Sequence, residues 1–159
     1  MSITTGSTAP AFSLFASMNE QVSLSQFHGN KNVLLLFFPQ SFTGVCTKEL
    51  CGVRDDISRY QQMNAEVLGI SVDSVFTLAR FKEDQQLNFT LLSDFNKEAS
   101  NAYGCIYDAF TPMEMKGVSK RSAFVIDKAG IVQYAEVLDN AGEVPNFDAI
   151  QACLSQLNA

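Results

Sequence analysis

Two cysteines five residues apart, in the run Cys46–Thr47–Lys48–Glu49–Leu50–Cys51, are the side chains best suited to chemistry in this sequence. The surroundings of the first can activate it. A short apolar run, Val33–Phe38, leads through Pro39, Gln40, Ser41 and Phe42 to Thr43, and then into a stretch with helical spacing. Pro39 ends the strand and stiffens the loop. Thr43 is a good N-cap, which puts Cys46 in the first helical turn. A thiolate there meets free backbone N–H groups and the positive end of the helix dipole. Both favour S⁻ over SH, and S⁻ is the nucleophile. From position alone, Cys46 reads equally well as a small apolar residue on a helix.

The elements that must position this cysteine follow from hydrophobic patterning. Val33–Phe38 is continuous and apolar, the mark of a strand buried on both faces. Phe12–Phe15 and Val22–Leu24 flank Met18–Asn19–Glu20 as an N-terminal hairpin. Glu66–Val72, Phe89–Leu92, Ala123–Asp127 and Ile131–Val137 read as further strands, the last two as a hairpin. Within 43–63, Leu50, Val53, Ile57 and Tyr60 form one apolar helical stripe. Val75–Leu87, Lys97–Tyr103 (stopped by Gly104) and Phe147–Leu157 are the other helices. Strands alternating with helices predict an α/β domain with a central mixed sheet. Ligands of such sheets bind at the carboxyl ends of the strands, where the Cys46 loop lies.

Composition narrows the function. The chain has 159 residues, 47% hydrophobic, with a net charge of −6. That is enough for one filled core, and no repeat or linker divides it, so residues 1–159 read as one domain. The acidic balance argues against nucleic-acid or anionic-membrane partners. Met1–Pro10 shows no secretory signal, and no apolar run reaches membrane-spanning length. A cytoplasmic protein is expected, in which cysteines are not a disulfide framework. With no CxxC pair and His28 as the sole histidine, a structural zinc site is not expected. Cys105 and Cys153 read as inert core and helix positions, His28 as a surface residue, and Met113 and Met115 as loop packing. Glu49, three residues beyond Cys46 on the same helical face, is placed to hold an arginine, though a solvated glutamate reads almost as well.

The pattern Pro39-x-x-x-Thr43-x-x-Cys46 resembles the PxxxTxxC signature of peroxiredoxins. Supporting segments run nearly the whole chain: Gly6–Phe12, the apolar run before Pro39, Leu91–Asp94, Ala102–Gly104 and Arg121–Asp127. The resemblance implies a thioredoxin-like fold with an N-terminal extension, and hydroperoxide reduction with no metal or organic cofactor. It makes Cys46 the nucleophile, Thr43 a hydroxyl bonded to the peroxide, Pro39 a shield for the thiolate, and Arg121 the cation beside it. Those types suit the reaction, because charge develops on both peroxide oxygens and preplaced donors stabilise it.

The CTKELC run resembles the Q-type class, the bacterioferritin comigratory proteins, in which the second cysteine, here Cys51, resolves the sulfenic acid as an internal disulfide that thioredoxin reduces. Phe37–Cys46 and Ile131–Val144 resemble the AhpE type, usually one-cysteine enzymes served by an external thiol. The resemblance therefore implies an AhpE-like body with a Q-type cysteine pair, as a monomer or homodimer. A redox relay through Cys46 is the competing class. A CxxC-type dithiol exchanger and a pure binding module fit the residues less well.

Overall fold

The computed structural model describes residues 3–158. At its centre is β3 (Asn32–Phe37), the run read as a buried strand, with all of its residues buried. β4 (Ala65–Ser71) pairs parallel with β3, and β5 (Thr90–Ser93) parallel with β4. On the other side β6 (Ser122–Ile126) runs antiparallel to β3, and β7 (Val132–Val137) antiparallel to β6. The N-terminal hairpin, β1 (Ser13–Ser17) and β2 (Glu20–Ser23), joins the β5 edge through β1. The seven-stranded mixed sheet has the order β2-β1-β5-β4-β3-β6-β7. Leu24, read as a strand end, instead opens a 3-10 turn, Leu24–Phe27, where the Gln26 side chain accepts from the Ser23 amide at 3.0 Å.

Alternation along β3 explains why both faces are covered. Leu34, Leu36 and Phe38 pack with Leu50 and Val53 of α1 (Gly44–Asp55), Tyr60 of α2 (Ile57–Gln62), Leu78 and Phe81 of α3 (Val75–Gln85), and Ile150 and Leu154 of α5 (Phe147–Leu157). Val33, Leu35 and Phe37 point the other way, toward Phe124, Tyr103, Cys105 and Ala99 of α4 (Glu98–Ala102). The stripe from Leu50 to Tyr60 belongs to two helices rather than one. Asp56, at φ −102° and ψ 10°, ends α1 with its amide on Gly52 O and Val53 O and starts α2. Both helices face one core, so the apolar spacing runs through the break.

Topology delivers a distant residue to the Cys46 loop. Because β6 is antiparallel to β3, it begins where β3 ends, and Ser122 pairs with Phe37. Arg121 therefore emerges at the edge of the sheet from which the chain turns into α1. Among the described residues, no helix is long and apolar enough to cross a membrane.

Candidate active site

After β3, Phe38 and Pro39 stay buried and the chain leaves the sheet. Phe42 takes a left-handed backbone, φ 67°, uncommon for a bulky residue. Its ring is half-exposed and meets Phe81 edge-on, with centroids 5.1 Å apart. Thr43 is the N-cap residue of α1, as predicted, with extended backbone. Its hydroxyl does not make the expected bond to a first-turn amide, however. It donates to the Gln40 carbonyl at 2.9 Å, because the reversal at Phe42 turns that carbonyl back upon it. The Thr43 oxygen thus keeps its capacity to accept a hydrogen bond. The first helical bond runs from Thr47 N to Thr43 O, which places Cys46 in the opening turn.

Cys46, Glu49 and Arg121 form one buried cluster, 0%, 3% and 1% exposed. Arg121 Nη2 donates to Cys46 Sγ at 3.2 Å, and Nη1 donates to Glu49 Oε1 at 2.6 Å. Nε and Nη2 both donate to the Ala141 carbonyl, at 3.2 and 3.1 Å. Arg121 is thus no solvated surface residue. A buried guanidinium is costly unless paired and hydrogen-bonded, and this one is both. Burial works against its charge, but Cys46 and Glu49 more than offset that, so its pKa lies above the ordinary value.

Glu49 is pulled in two directions. Burial pushes its pKa from 4.5 up to about 7, against the opposing effect of Arg121, and its Oε2 has no partner among the described residues. The fold therefore binds the Glu49 proton more tightly than the unfolded chain does. This contribution to stability is complete below about pH 4.5 and is lost as pH rises through about 7. Glu49→Gln removes the titration. Denaturant unfolding of both proteins across this range is expected to show wild type losing about 3 kcal/mol relative to the variant. Parallel curves would mean that Arg121 keeps Glu49 ionised throughout.

The other expected residues are placed as follows. Thr43 and Pro39 lie on the loop into α1, while Cys51 turns away from Cys46. Cys51 is half-buried, and its thiol donates to Gln85 Oε1 on α3 at 3.5 Å. Cys105 is fully buried, and burial pushes its thiol up to about 12. Cys153 is half-buried on α5, its thiol directed at Gln133 O, and burial raises its pKa also. His28 is exposed. Met115 packs on the cluster of Tyr107, Phe110 and Val118, whereas Met113 is 75% exposed and packs little.

Sequence reasoning missed several groups that shape the site. The Tyr107 hydroxyl accepts from the Arg121 amide at 3.4 Å and donates to Leu138 O at 2.9 Å, and its ring stacks on Phe110. On the loop side, Asp73 Oδ2 accepts from Ser41 N at 2.8 Å, Ser41 Oγ at 2.9 Å and Ser71 Oγ at 2.6 Å. One signal for Asp73 was present: it follows the carboxyl end of a buried strand, the edge where α/β sheets build their sites.

Comparison with known proteins adds an independent line. A model of the AhpC/TSA family matches residues 5–135. The chain is 35% identical over 162 residues to the chloroplastic 2-Cys peroxiredoxin BAS1 of Spinacia oleracea, covering 96% of this chain but only 58% of that protein. It therefore spans little more than half the length of that relative. Alkyl hydroperoxide reductase E of Mycobacterium tuberculosis is 38% identical over 141 residues, 87% of this chain and 88% of its own. Among solved structures, the peroxidoxin BcpB from Mycobacterium tuberculosis superposes with a TM-score of 0.84 at 28% identity, covering 97% of each chain.

Proposed function

The chain belongs to the AhpC/TSA family and is a peroxiredoxin of thioredoxin-like fold, and on that premise we propose that it reduces hydrogen peroxide and organic hydroperoxides at Cys46. The observation that carries this reading is the 3.2 Å hydrogen bond from buried Arg121 to Cys46 Sγ. The thiolate attacks the O–H oxygen of HO–OR, the O–O bond breaks, RO⁻ leaves and takes a proton, and sulfur becomes S–OH. Thr43, already donating to Gln40, accepts from the attacked O–H. Arg121 donates to the oxygens as charge builds on them, in a site that excludes water. Glu49 and the Ala141 carbonyl fix the guanidinium, and Pro39 walls the loop off from solvent.

For the second half of the cycle, Cys51 attacks the sulfenic acid, releasing water and forming the Cys46–Cys51 disulfide. A thioredoxin-like dithiol then reduces it. A second reading rests on the orientation of Cys51 toward Gln85: the sulfenic acid persists and an external thiol resolves it, as in a one-cysteine enzyme or a relay to a partner protein. Intact mass after one equivalent of peroxide separates the two. Loss of two hydrogens marks the internal disulfide, and gain of one oxygen marks the persistent sulfenic acid. No mass change would overturn the peroxidase reading. A reducing cytoplasm suits four free cysteines.

Arg121→Ala is expected to slow sulfenic acid formation about a hundredfold or more, the scale of losing one transition-state donor. Stopped-flow measurement with hydrogen peroxide checks this, and a wild-type rate would remove Arg121 from the reaction.

A further inference from the structure

We propose that Asp73 is a positioning residue for the peroxide reaction: through Ser41 it holds the loop from Pro39 to Thr43 in the shape that sets Thr43 at the head of α1. The inference rests on the peroxidase reading above and adds to it a residue outside the Pro–Thr–Cys–Arg set.

Asp73 ties together the carboxyl ends of three adjacent strands. Its Oδ2 takes both the amide and the hydroxyl of Ser41 on the loop after β3, and the hydroxyl of Ser71 at the end of β4. Its own amide donates to Ser71 Oγ at 3.2 Å, and its carbonyl accepts from Ser93 Oγ, at the end of β5, at 2.6 Å. Bonds from N–H and O–H groups to a carboxylate are among the stronger ones available to a neutral loop. The next residue, Ser74, caps α3 by accepting from the Thr77 amide, so the Asp73 backbone is anchored from both sides.

The loop needs such an anchor. Phe42 sits at φ 67° between Ser41 and Thr43, a conformation that bulky residues keep only when their surroundings impose it. On one side of Phe42, Ser41 is fixed by Asp73. On the other, Thr43 is fixed by its bond to Gln40 O. With the Asp73 anchor removed, Phe42 is free to relax toward ordinary backbone angles, and the Thr43 oxygen moves with it. Cys46, by contrast, is held by α1 and Arg121, neither of which Asp73 touches. The anchor therefore governs where the peroxide is held more than how reactive the sulfur is.

That separation gives the test. Two rates are measured on each folded protein, with thermal unfolding as the control for stability. One is the reaction with hydrogen peroxide, which needs the placed Thr43. The other is alkylation of Cys46 by iodoacetamide, located by peptide mass mapping, which needs only the thiolate. Asp73→Ala is expected to lose on the order of tenfold or more in the peroxide rate, the scale of a small misplacement in a reacting site, with alkylation unchanged. Asp73→Asn keeps an acceptor oxygen for Ser41 and should fall between. Ser41→Ala keeps the amide bond, so it provides a milder variant should Asp73→Ala fail to fold, with a smaller loss of the same kind. Wild-type peroxide rates in these variants, or peroxide and alkylation rates falling in step, would overturn the inference alone. A wild-type protein inert to peroxide would overturn the peroxidase reading, and this inference with it.

Discussion

Replacing Cys46 with serine is expected to abolish peroxide reduction and leave the fold intact. Serine nearly matches the thiol in shape, so the packing of this fully buried position against Phe38 and Leu50 survives. The new hydroxyl is not left unsatisfied, since Arg121 Nη2 already points at the atom it replaces. Reactivity is what disappears. A serine hydroxyl is a weak nucleophile at neutral pH unless a base removes its proton, and among the described residues no base is at hand. Glu49 is engaged by Arg121. The lone histidine, His28, lies just before β3 begins, whereas Cys46 follows the other end of that strand. The check is peroxide consumption alongside circular dichroism. A folded Cys46→Ser protein that keeps about a tenth of wild-type turnover would show that another group attacks.

The parts of this site that depend on neighbours in sequence were legible in the sequence; those that depend on sheet order were not. Strand, loop and helix around Cys46 are written in a continuous apolar run, a proline and a cap residue within a few positions, and each lies where that spacing put it. Glu49 could be set on the Cys46 face of the helix from spacing alone. Its partner lies 72 residues away and meets it because β6 is antiparallel to β3, a pairing that no local pattern encodes. Arg121 was therefore reachable only through the family resemblance. The bonds that Asp73 and Tyr107 make between loops were hidden for the same reason, and only the place of Asp73 after a buried strand was visible. Phe42 illustrates a different limit. A phenylalanine carries no signal for left-handed backbone, so the turn that redirects the Thr43 hydroxyl could not be foreseen. The break at Asp56 was hidden because both helices bury the same stripe against one core.

Cys51→Ser is expected to complete one turnover with peroxide and then fail to cycle with thioredoxin, because resolution requires α1 to open. In a regular helix, residues five apart are rotated by about 140° and lie about 7.5 Å apart along the axis, which puts their Cα atoms roughly 8.6 Å apart. A disulfide tolerates about 7 Å at most. Both cysteines lie in α1, and Cys51 makes its contact with Gln85 rather than toward Cys46. The closed helix holds Cys46 against Arg121, and a disulfide between Cys46 and Cys51 would require it to open. The helix has a weak point and a stop where such opening needs them. Gly52 stands inside α1 directly after Cys51, and beyond its chain neighbours and its own helix backbone no atom lies within 4 Å of where a Cβ would be, so no packing against another element explains it. A glycine there weakens the helix by about 1 kcal/mol relative to alanine. Two residues on, Arg54 is fastened to the end of α3 and the segment after it: its Nη1 donates to Gln85 O at 2.6 Å, and its own carbonyl accepts from Asn88 Nδ2 at 3.2 Å. Unwinding from the Cys46 end is thus expected to run to Gly52 and halt at Arg54, a local opening that leaves the sheet folded. Hydrogen exchange on the oxidised protein should show amides from Cys46 to Val53 losing protection while those of α2 keep theirs. Cycling of Cys51→Ser at the wild-type rate would remove Cys51 from resolution and leave an external thiol as the group that completes the reaction.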